Sequence, residues 1–107
     1  MAWLECPFLN GKIELSNERL AHILRRHPEL AVGQPDTIAA TLLDPDLVRI
    51  YLDEPLAHAF SKYYSGLLGG KHVVVVVITD SESLRHWVIT AYAARRLSGG
   101  IVKWQKD

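Results

Sequence analysis

The sequence predicts an α+β domain: two N-terminal helices followed by a four- to five-stranded antiparallel sheet. Three observations predict it. Between Arg19 and His27, apolar residues recur at helical spacing and stop at Pro28. Beyond Pro45 the chain changes to short alternating runs separated by Gly- and Asp-containing turns. Among these runs, His72–Thr79 contains Val73–Val77 without alternation, which requires a central strand covered on both faces.

The elements follow in order. Lys12–Leu15 alternates and reads as a short strand or a lead-in. Ser16 or Asn17 caps the first helix, with Glu18 favourable in its first turn, and the helix runs to Arg26 or His27. Gly33–Pro35 is a loop. Asp36 or Thr37 caps a second helix, Ile38–Leu43, which Asp44-Pro45-Asp46 terminates. Strands are expected at Leu47–Leu52, Ala59–Leu68, His72–Thr79, Arg85–Ala94 and Ile101–Gln105. Gly69-Gly70-Lys71, Asp80–Ser83 and Ser98-Gly99-Gly100 supply the turns between the later ones.

A chain of 107 residues with 22% charged side chains fits one domain over residues 1–107, with its core at about 13–105. Its single cysteine, Cys6, excludes an internal disulfide and a cysteine-based zinc site, and fits a reducing, cytoplasmic location. The start Met1–Glu5 lacks a signal-peptide pattern, and the longest apolar run is too short to span a bilayer, so no membrane partner is expected.

The formal net charge is zero, yet the charges are segregated. Arg19–His27 carries three arginines and no acid, and Leu84–Lys106 carries five cations and no acid. Between them, Pro28–His58 holds six acids against Arg49 alone. If the two basic segments meet they form a patch suited to a polyanion; otherwise they cover solvated surface.

Several chemistries are set aside. The Gly-Gly pairs are turns rather than phosphate loops, and there is no zincin spacing or nucleophile elbow. His22 and His27 stand about 140° apart on a straight helix, so they cannot chelate one metal. No cofactor and no metal are expected.

Two stretches remain informative. On the first helix Leu20, Ile23 and Leu24 share one side, His27 falls within that arc, and His22, Arg25 and Arg26 point away. On the strand His86–Tyr92, strict alternation puts His86, Val88, Thr90 and Tyr92 on one face and Trp87, Ile89 and Ala91 on the other. Thr90 and Tyr92 then offer two hydroxyls, with Arg95 and Arg96 just beyond. Cleavage of RNA without a metal needs a base for the 2′-hydroxyl, an acid for the departing 5′-oxygen and cations for the phosphate. Histidine exchanges protons near neutrality and arginine binds two phosphate oxygens at once, so His27, Tyr92 and the arginines form a candidate set. The bland alternative is a satisfied core histidine beside a half-polar sheet face.

The stretch Ile13-Glu14-Leu15-Ser16, then His22-Ile23 with His27-Pro28-Glu29-Leu30, Thr41–Asp46, the valine-rich strand and Ile89–Tyr92 with Arg95-Arg96 resembles a family of phage-associated nucleases. These belong to the barnase/EndoU/colicin/RelE-like superfamily (the BECR fold) of small metal-independent RNases, and the resemblance spans roughly residues 13–104. It implies the same helices-then-sheet fold, a toxin-like RNase activity, and RNA and an antitoxin or inhibitor protein as partners. Residue by residue it points to His22, His27, Thr90 and Tyr92 as catalytic, with Arg26, Arg95 and Arg96 holding RNA. A non-catalytic RNA- or protein-binding module on the same fold is the rival expectation. Oligomeric state is left open.

Overall fold

The computed structural model describes residues 2–31 and 36–107. The expected loop Gly33–Pro35 lies outside them.

Among the described residues, seven strands form one mixed sheet with two short helices. The strands are β1 (Ala2–Cys6), β2 (Gly11–Leu15), β3 (Leu47–Tyr51), β4 (Glu54–Tyr64), β5 (Lys71–Thr79), β6 (His86–Ala94) and β7 (Ile101–Gln105). Their order across the sheet is β1-β2-β6-β5-β4-β3-β7. The helices are α1 (Asn17–Arg26) and α2 (Thr37–Leu43). This corrects the expected four- to five-stranded antiparallel sheet in two respects. Two strands precede the helices, and β2 joins β6 in parallel, through Ile13↔His86 and Glu14↔Trp87.

The expectation failed for a physical reason. The connection after β1 is longer than a two-residue hairpin, because Cys6 leads into a 3-10 turn at Pro7–Leu9 before the Asn10-Gly11 turn signal. Asn10, at φ 54, reverses the chain into β2. The parallel joint is made between residues far apart in sequence, so no local pattern announces it. β4 also starts earlier than expected, at Glu54, directly after the Leu52-Asp53 turn.

α1 begins where Ser16 stays extended and its side-chain oxygen accepts the Arg19 N–H at 3.1 Å. It ends at His27, whose φ of −134° leaves helical geometry just before Pro28. Ile23 of α1 is fully buried, and Leu20 and Leu24 pack beside it. With Leu30, Ile38 and Leu42 these residues meet Ile13, Phe60, Val73, Val75 and Val77 on one face of the sheet, forming the main core. α2 is pinned to β4 because the Tyr64 hydroxyl donates to the Thr37 carbonyl at 3.2 Å and lies 3.0 Å from the Thr41 hydroxyl. β1 also packs against α2, so the front hairpin curls over the helical side.

The opposite face carries a smaller apolar cluster, Ala57, Ala59, Val74 and Val76, flanked by Tyr51, Ile78, Ile89, Tyr92 and Leu97. Both faces of the valine run are therefore covered. Among the described residues, no helix is long and apolar enough to cross a membrane.

Candidate functional site

The site is built on the sheet face that lacks helices. Its residues share that face by register: Arg49 pairs with Ala59, Ala59 with Val76, and Val76 with Thr90, while Val74 pairs with Tyr92. Small side chains at Ala57 and Ala59 leave room above the sheet for larger groups from either side.

The strict alternation expected for β6 breaks at Ile89. The register shifts there, so that Val76 faces Thr90 and Val77 faces Val88. One extra residue reverses the face of everything before it. His86 and Val88 turn to the helical side, and only Thr90 and Tyr92 keep the predicted company. His86 is instead held by Thr79, whose hydroxyl lies 2.8 Å from its Nδ1.

His27 reaches this face around an edge of the sheet. β2 covers β6 only at His86 and Trp87, which leaves the lower edge of β6 free. The end of α1 and the turn Pro28–Ala31 lie along that edge, and Glu29 Oε2 accepts the Ala93 N–H at 3.4 Å. His27 then sits with its ring centroid 6.0 Å from that of Tyr92, the planes 44° apart. Its Nδ1 is 3.6 Å from Glu29 Oε2, an ion-pair separation rather than a hydrogen bond. The apolar stripe of α1 therefore docks on one face while His27, just past the helix end, reaches the other.

Arg49 is the centre that sequence reasoning missed. It is 3% exposed, and its Nη1 donates to the carbonyls of Ser98 at 2.6 Å and Gly99 at 2.9 Å. Those carbonyls belong to Arg95–Gly100, which leads from β6 to β7 at the far edge, four strand positions away. Crossing four strand spacings takes about 19 Å, close to the reach of so short a segment, so the chain must pass directly over the sheet as a strap. Leu97 fastens the strap to the small apolar cluster. Gly99 and Gly100, at φ 81 and 75, turn it into β7 with backbone angles that side chains disfavour. A Cβ on Gly100 would stand 2.6 Å from the Ile50 carbonyl oxygen.

Tyr92 lies against Tyr51 and Arg49. Burial, and secondarily Tyr51, push its phenol above the usual value, while Arg49 acts the other way. Tyr92 therefore keeps its proton at neutral pH and acts as a donor. A signal for Arg49 was present in the sequence. Alternation in Leu47–Tyr51 puts Leu47, Arg49 and Tyr51 together, and Arg49 is the lone cation in an acidic stretch.

The other expected residues lie elsewhere. His22, Arg26, Arg95 and Arg96 are exposed. His22 lines a shallow depression of about 550 Å³ on the outer side of α1 with Ser16, Glu18, Arg19, Ala21 and Arg25. His22 and His27 thus serve different surfaces, as their spacing on a straight helix requires. Arg95 and Arg96 open the strap, three and four residues after Tyr92, and Arg26 ends α1, next to His27. Among the described residues, no three His, Cys, Asp or Glu side chains gather as metal ligands do.

Comparison with family models, with curated proteins and with solved structures finds no match to this chain.

Proposed function

We propose that the chain is a cytoplasmic, metal-independent endoribonuclease of the barnase/EndoU/colicin/RelE-like type, working at His27, Thr90 and Tyr92. One observation carries this reading: a histidine and a proton-holding tyrosine from opposite sides of the sheet stand 6.0 Å apart beside a buried arginine. His27 takes the proton of an RNA 2′-hydroxyl. The 2′-oxygen attacks phosphorus, the bond from phosphorus to the 5′-oxygen breaks, and Tyr92 gives its proton to that oxygen. The products are a 2′,3′-cyclic phosphate and a free 5′-hydroxyl, and solvent returns the proton from His27 to Tyr92. Arg26, Arg95 and Arg96 hold the flanking strand, and Thr90 donates a hydrogen bond to phosphate. Such an activity inside a cell calls for an antitoxin or inhibitor protein to restrain it.

The test is cleavage of a fluorogenic RNA in the presence of EDTA. The wild-type protein is expected to cleave it and to leave its 2′-deoxy counterpart whole. His27→Ala and Tyr92→Phe should each lower the rate by about a hundredfold or more. RNA left intact by the wild type, or cleaved equally by both variants, overturns the proposal. The strap over Arg49 favours a second reading, a non-catalytic RNA-binding module. That reading predicts RNA bound without cleavage, weakening steeply with salt and on charge reversal at Arg95 or Arg96.

A further inference from the structure

We infer that Arg49 is a phosphate-binding site, closed in this state by the chain's own strap, and that an incoming phosphate group takes the guanidinium from the Ser98 and Gly99 carbonyls. The identity of the ligand as a nucleic-acid phosphate rests on the ribonuclease reading above. The site itself does not.

A guanidinium removed from water needs an anion or a full set of acceptors. Arg49 is 3% exposed, yet among the described residues no carboxylate stands within ion-pair distance of it. Nη1 serves both strap carbonyls, and the guanidinium also acts on the Tyr92 hydroxyl. Nε is buried and has no partner at all. The side chain is therefore a fixed positive charge with an unused donor at Nε, on a planar fork of the kind that grips phosphate oxygens. The Tyr92 hydroxyl stands beside it and hydrogen-bonds with Tyr51, and a hydroxyl there can donate to an entering anion.

Leu97 fastens the strap, and just beyond it Ser98 and Gly99 are exposed, so this short stretch is the part that gives way to an entering anion. Two neutral carbonyls are weaker acceptors than a phosphate, so exchange favours the anion once it arrives. Arg95 and Arg96, exposed at the near end of the strap, draw the same polyanion toward it.

The experiment is an NMR titration of the full-length protein, following Arg49 Nε–H and the Gly99 and Gly100 amides. Inorganic phosphate should shift all three together, with saturation. A 2′-deoxy trinucleotide, which cannot be cleaved through a 2′-oxygen, should do the same. Shifts with both probes identify a strand phosphate as the natural occupant. Shifts with phosphate alone support a site for a free anion and remove the strand. Arg49→Met should weaken binding by about tenfold or more. Should that variant fail to fold, Arg49→Lys keeps the charge and loses the fork, and should weaken binding in the same direction. Shifts confined to exposed arginines, or binding unchanged in the substituted protein, overturn the inference. RNA cleavage plays no part in the readout, so a failure of the ribonuclease reading leaves this result standing.

Discussion

His58 shows how the charge of one half-buried side chain is set by its neighbours. It lies on β4, half-buried, with its ring 5.8 Å from Phe8 and 6.2 Å from Phe60. Its Nδ1 is buried without a partner. Burial holds its pKa below the ordinary 6.5, and the nearby His86 and Lys103 add to that. The unfolded chain therefore takes up the proton first as pH falls. Stability from this residue is present above about pH 6.5 and is lost as pH drops through the lower folded value. Melting temperatures taken at steps between pH 7 and pH 5 should fall for the wild type, and His58→Phe should remove that part of the slope. Parallel curves would show that His58 does not titrate in this way.

At the scale of elements, α1 is the part written most directly in the sequence. Ser16, the Leu20–Ile23–Leu24 stripe and Pro28 each mark a feature that the structure contains. Ser16→Ala leaves the Arg19 N–H without its acceptor and should cost about 1 kcal/mol in urea denaturation. An unchanged midpoint would mean that solvent replaces the cap without cost. β6 was legible as a strand but not in its facing, since a bulge at Ile89 has no residue signature of its own and Ile suits either face. For that reason Thr90 and Tyr92 were grouped correctly with each other and wrongly with His86. Arg49 escaped for a different reason. Its meaning depends on a strap from residues about fifty positions later, and only the closed sheet brings the two together.

Across the whole molecule, the front hairpin depends on one narrow joint. Among the described residues, β2 meets β6 at two register positions, and β1 has β2 as its one strand neighbour. Beside that joint, Arg85 grips Glu14 with both arms of its fork, Nε to Oε2 and Nη2 to Oε1, each at 2.8 Å. These two residues are 71 positions apart, so the pair ties the start of the chain to its later half. The same long separation kept the mixed sheet out of reach of local sequence patterns. Hydrogen bonding from Arg85 holds the Glu14 carboxyl below the ordinary 4.5, against a smaller opposing effect of burial. A carboxylate with a depressed folded pKa contributes stability that is complete above the unfolded value and disappears as pH falls through the folded one. Glu14→Gln keeps the shape and removes the charge. Its melting temperature should lie below that of the wild type at pH 7, and the gap should close as the buffer is taken well below pH 4.5. Calorimetry of both proteins at steps down to strongly acidic pH measures this. A gap that stays constant throughout would mean that the joint is held by packing against α2 and not by the Arg85 fork.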